Sequence, residues 1–119
     1  MQIEQLKQLV LDTLADMKAR DVSVMDVRGK TAVTDYMIVA SGTSDRHVKA
    51  IGETVAFKAK EAGEPALGSE GVQEGEWALI DLNAVVVHVM LPKVRDFYNL
   101  ERLWSASAPE KRSAVVHHL

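Results

Sequence analysis

Two short segments of the chain carry residue types that could do chemistry. Ser41-Gly42-Thr43-Ser44-Asp45 follows an apolar run and precedes a helical pattern. Free backbone N–H groups at such a helix start favour an anion. Further on, Asp81-Leu82-Asn83 closes a second apolar run. A Gly-Ser loop followed by a strand bearing two alternate carboxylates is how nucleotidyltransferases hold nucleotide phosphates and two metal ions. Two metals need several carboxylates to balance their charge. Here the second acid of the pair is Asn83, and no third acid is evident. The competing reading is structural: Gly42 permits a tight strand-to-helix turn and Ser44 caps the helix. A small magnesium-dependent nucleotidyltransferase is thus the alternative function, resting on Gly42, Ser44 and Asp81.

The four histidines do not build a metal site by spacing. His117 and His118 are adjacent and close to the chain end, and His47 has no acid placed behind it for nucleophilic catalysis with Ser41 or Ser44. His88 lies in a valine strand, on the face opposite Val87 and Val89. It is either a hydrogen-bonded sheet histidine or part of a partner surface. Trp77 follows Gly75-Glu76 and reads equally as core or as an interface anchor beside an acidic, glycine-rich loop. Glu70, Glu74, Glu76, Asp81 and Glu101 are candidates for an acidic rim around it, complementary to a basic protein. An RNA-binding surface built on Arg46, Lys49, Lys58 and Lys60 is a weaker option.

The elements that must position these residues follow from periodicity. Ile3, Leu6, Val10, Leu14 and Met17 recur at helical spacing over residues 3 to 19. Val22 and Val24 alternate with polar residues as in a short strand, and Arg28-Gly29-Lys30 is a turn. Tyr36 to Ala40 is a continuous apolar run, as in a strand buried on both faces. Ser44 caps a second helix that carries Val48, Ile51 and Val55 inward and stops at Gly63. Residues 63 to 76 hold four glycines and read as a loop with at most one short extended piece. Trp77 to Asp81 and Val85 to Met90 are adjacent strands, the second ended by Pro92. Arg95 to Trp104 places Phe97, Leu100 and Leu103/Trp104 at helical spacing. The order α-β-β-α-β-β-α predicts an α/β (α+β) fold, a mixed sheet flanked by helices. Residues 1–105 form one domain, and 106–119, rich in Ser and Ala without a period, are expected to be a flexible tail.

Composition bounds the partners. The chain of 119 residues suits one domain, and with no cysteine it has no disulfide, thiolate metal site or cysteine nucleophile. Fourteen Lys and Arg against 17 Asp and Glu give a net charge of −3, which disfavours nucleic acid as the primary ligand. The first helical stretch is interrupted by Glu4, Lys7, Asp12 and Asp16, unlike a signal peptide. Val85 to Leu91 contains His88 and is far short of a membrane span. A cytoplasmic protein with no membrane partner is expected.

Several segments together resemble the ribosomal silencing factor family, also called Iojap-like. They are Asp26-Val27, the run from Thr34 to Ile51, Gly75 to Asp81, Val85 to Met90, and then Arg95, Phe97-Tyr98, Leu100-Glu101 and Leu103-Trp104. The resemblance spans roughly residues 3 to 105 in order. It implies a nucleotidyltransferase-like topology without catalysis, and no cofactor or metal. It implies binding to the large ribosomal subunit through a universal ribosomal protein at the intersubunit face. Small-subunit joining would then be blocked and translation dampened when nutrients are scarce. It also implies a homodimer that competes with ribosome binding. The partner-binding residues expected on this footing are Trp77, Asp81, Leu82 and His88, with Tyr98 and Glu101 nearby.

Overall fold

The computed structural model describes residues 1–105 of the chain. Helix α1, Ile3–Asp16, begins where the Gln2 backbone N–H donates to Gln5 Oε1 at 2.9 Å. It buries Leu6, Val10 and Leu14, the inner part of the expected stripe. Helical structure stops before residue 19, because Lys18 turns into the left-handed region at φ 59°. Strand β1, Arg20–Asp26, follows along one sheet edge and is mostly exposed. Every residue of β2, Tyr36–Ser41, is buried, as the unbroken apolar run predicted.

Ser44 caps α2, Asp45–Glu61, by accepting the His47 backbone N–H at 3.1 Å. Val48, Ile51 and Val55 point inward, and Gly63 leaves the helix end at φ 87°. The glycine-rich segment contains a short strand β3, Gly68–Glu70. Strands β4, Trp77–Asp81, and β5, Val85–Met90, form a hairpin whose turn holds Asn83 at φ 73°. The Asp81 carboxylate accepts the Asn83 backbone N–H at 2.8 Å, a local turn bond. Helices α3, Pro92–Tyr98, and α4, Leu100–Ser105, close the described chain.

The sheet order is β1-β2-β5-β4-β3. Among the described residues, only β2 and β5 run parallel; the other three strand pairings are antiparallel. Helices α1 and α2 cover one face, where Ile38, Ala40, Ala78, Ile80, Val85, Val87 and Val89 join Leu14, Val48 and Ile51 in the main core. The opposite face holds a smaller cluster of Val27, Met37, Val39, Met90 and Leu100, with Trp77 and Val94 at its margin. The architecture is therefore a mixed α+β sheet flanked by helices.

One element falls where a short extended piece was allowed, and one departs from the sequence reading. β3 has no apolar side chain and is fully exposed, so only backbone pairing with β4 defines it. The single closing helix is two, because Asn99 adopts φ 50° and ψ 54° between them. That left-handed residue shifts the phase: Leu100 is 3% exposed, while Phe97, expected inward with it, is 80% exposed. The proposed 106–119 tail lies outside the described residues.

Candidate functional site

The parallel pairing of β2 and β5 ends with Ser41 opposite Met90, and the antiparallel hairpin brings Trp77 opposite the same Met90. Alternation along β4 buries Ala78 and Ile80 under the helices and leaves Trp77, Leu79 and Asp81 on the other face. Two glycines steer the chain into Trp77. Gly71, at φ 73°, leaves no room for a Cβ against the Trp77 carbonyl. Gly75, at φ 74°, lies against the Asp45 carbonyl, which docks the loop on the start of α2.

Trp77 is half-buried, and its indole N–H donates to His88 Nδ1 at 2.9 Å. His88 sits diagonally across the ladder on the same face, since Leu79 is its direct partner. With Nδ1 accepting, the imidazole must be neutral there. Burial pushes its pKa from 6.5 down to about 4, consistent with that role. The Tyr98 ring lies 4.9 Å from Trp77, tilted by 47°, and Phe97 meets Tyr98 edge-on at 4.9 Å and 85°. Beside this aromatic group, Arg95 Nε donates to Glu101 at 2.6 Å and Arg95 Nη1 to Ser41 Oγ at 2.9 Å. The guanidinium holds the Glu101 carboxyl below its usual range.

Of the six expected partner-binding residues, the fold thus gathers Trp77, His88 and Tyr98 into one cluster, with Glu101 at its flank. Asp81 and Leu82 lie at the other end of β4: Asp81 pairs with Val86, and Leu82 is 3% exposed. His88 is 6% exposed, so it supports Trp77 from below. Phe97 is the exposed aromatic that the spacing argument turned inward. Its signal was Asn99, one of the few residue types that accept a left-handed backbone. Glu74 and Glu76 are exposed in the segment that leads into Trp77, and Glu70 on β3 pairs with Leu79.

The same register separates the two halves of the nucleotide-and-metal constellation. Gly42 and Ser44 follow the Ser41–Met90 end of the sheet, whereas Asp81 stands at the Val86 end. Ser44 is engaged in its cap. His47 is engaged on both nitrogens: Nδ1 accepts from the Thr43 N–H at 2.9 Å, which leaves Nε2–H to donate to the Met17 carbonyl at 2.8 Å. Among the described residues, no group of three or more His, Asp or Glu is disposed to hold a metal ion, and no helix is long and apolar enough to cross a membrane.

The family described as "Ribosomal silencing factor during starvation" matches residues 1–118. The chain belongs to the ribosomal silencing factor family. It is 46% identical over 109 residues to ribosomal silencing factor RsfS of Chromobacterium violaceum, covering 92% of this chain and 89% of that one. A crystal structure of a Chromobacterium violaceum protein superposes with a TM-score of 0.87 at 46% identity, covering 89% and 88% of the two chains. A mouse relative named "Mitochondrial assembly of ribosomal large subunit protein 1" is 33% identical over 111 residues, which cover 91% of this chain and 49% of the mouse protein. Members of the ribosomal silencing factor family are named for silencing ribosomes and not for an enzymatic activity.

Proposed function

We propose that this silencing factor binds the large ribosomal subunit through the face formed by Trp77, Tyr98 and Phe97, and so blocks joining of the small subunit when nutrients are limiting. The observation that carries the reading is an aromatic group held open at the surface: Phe97 is 80% exposed and packs edge-on through Tyr98 onto a Trp77 fixed by His88. Large rigid aromatics at the centre of a patch are the usual anchors of a protein interface. Glu70, Glu74 and Glu76 beside them, with a net charge of −3, favour a basic ribosomal protein over bare RNA. The large-subunit wording in the mouse relative's name points the same way. Asp81 and Glu101 extend the proposed contact toward the far end of β4 and onto α4, while Leu82, buried in the main core, supports that end of the strand from within.

Silencing of this kind is steric. A docked body that buries on the order of 1,200–2,000 Å² binds specifically, and its volume then excludes the second subunit. No bond is made or broken, and no cofactor is required. The factor acts in the bacterial cytoplasm, on the intersubunit face, and a homodimer that covers the same surface would compete with docking. The test is sedimentation of purified ribosomal subunits with this protein, scoring subunit joining. Trp77→Ala is expected to weaken co-sedimentation with the large subunit and to restore joining. Wild-type co-sedimentation by a folded Trp77→Ala variant would overturn the proposal.

A further inference from the structure

The aromatic face depends on a short element with little hold of its own. None of the seven residues of α3 is buried, and an isolated helix of that length is not stable in water. Its apolar anchorage is Val94, half-buried at the edge of the smaller cluster, and then Leu100 beyond the bend. One side chain bridges these parts. Arg95 departs from the middle of α3 and reaches Ser41 Oγ, at the end of β2, with one arm of its guanidinium. With its Nε it reaches Glu101, on α4. Its carbonyl accepts the Asn99 N–H at 2.8 Å, where the chain turns from α3 to α4. The Arg95 side chain is only 11% exposed and Ser41 only 2%, with Glu101 at 32%, so this is a partly covered network and not a loose surface pair.

We infer that Arg95 is the positioning residue of the docking face: by spanning Ser41 and Glu101 it fixes the bend at Asn99 and holds Phe97 and Tyr98 beside Trp77. Only a planar fork can meet both acceptors at once; an ammonium is a point charge on a flexible stem. Arg95 is too covered to supply much contact area itself. It acts through the rings that it orients. This inference rests on the docking reading above.

A double-mutant cycle separates positioning from plain stabilisation. Binding to purified large ribosomal subunits is measured for Arg95→Met in the natural sequence and in a Phe97→Ala/Tyr98→Ala background, with thermal melting alongside. If Arg95 positions the rings, Arg95→Met weakens binding tenfold or more in the natural sequence. In the background that lacks the rings it changes binding less than twofold. Arg95→Lys, which keeps the charge and loses the fork, should behave like Arg95→Met. An equal loss in both backgrounds, or no loss, would overturn the inference. If Arg95→Met melts without cooperativity, Ser41→Ala takes its place in the same cycle, with a several-fold loss expected only when the rings are present. Full binding by Phe97→Ala/Tyr98→Ala would overturn the docking reading itself. Full binding by Arg95→Met beside a defective ring variant would overturn only the role given to Arg95.

Discussion

The indole N–H of Trp77 is directed inward, onto Nδ1 of His88 at 2.9 Å. The tryptophan therefore has no donor left for a partner, and it offers only its ring. Its orientation is set by a buried acceptor from the neighbouring strand. Replacing His88 by Phe keeps a flat ring, slightly larger, and removes that acceptor. Leaving a donor unsatisfied costs about 1–3 kcal/mol, toward the lower end here because the indole is half-buried. His88→Phe is expected to lower the urea midpoint accordingly, whereas His88→Gln, which retains an acceptor, should lose less.

The same imidazole sets a pH dependence. Its pKa falls from 6.5 to about 4 on burial, so the folded state favours the neutral ring. Above pH 6.5 the contribution is complete. Between about 6.5 and 4 the unfolded chain takes up a proton that the folded chain refuses, and stability falls as the pH drops. A shift of this size corresponds to something on the order of 3 kcal/mol. Melting temperatures taken from pH 7.5 to pH 4 should decline for the natural protein, and the decline should be shallower for His88→Gln. Equal slopes would remove His88 as the cause.

Gly75 is predicted to tolerate no side chain. Its backbone lies at φ 74°, and a Cβ there would strike the Asp45 carbonyl. Gly75→Ala should cost about 1–3 kcal/mol from backbone strain alone, with any displacement from α2 in addition. Thermal denaturation measures the total. Because the loop leads straight into β4, weaker large-subunit binding should accompany the loss of stability.

Phe97 gives the opposite pattern. At 80% exposure it contributes little to the core, so Phe97→Ala should leave unfolding within about 0.5 kcal/mol of the natural protein. Large-subunit binding should nevertheless weaken tenfold or more, as for an anchor residue. Unchanged binding in a sedimentation assay would exclude Phe97 from the interface.

The main core was legible because its signals are local. The apolar runs of β2 and β5 mark strands covered on both sides, and the spacing of Leu6, Val10 and Leu14 marks the inner face of α1. Ser44 announced the start of α2 by its chemistry. For β3 the sequence allows one short extended piece between residues 63 and 76 but does not place it, because Gly68-Ser69-Glu70 carries no apolar pattern and is defined by pairing with β4. The aromatic cluster was legible in part. Trp77, His88 and Tyr98 were each conspicuous, but only register brings the first two together and moves Asp81 to the far end of the strand. Phe97 was misplaced because periodicity assumes a continuous helix, and one residue, Asn99, breaks the phase. The reach of Arg95 to Ser41 spans distant segments of the chain and leaves no local trace.

The parallel pairing of Tyr36 with Val85 joins the two most buried strands across a long stretch of chain. Such a contact returns no energy until the intervening loop has been closed. Helix α2 and the β4–β5 hairpin can form from neighbours in sequence, but the centre of the sheet cannot. Folding speed should therefore be governed by the β2–β5 encounter and not by the helices, which places this protein among slower small folders despite its helical content. Until that encounter, Ile38, Val39, Val87 and Val89 have no cover, so the ladder that makes the finished sheet secure is also the segment most prone to aggregate during synthesis.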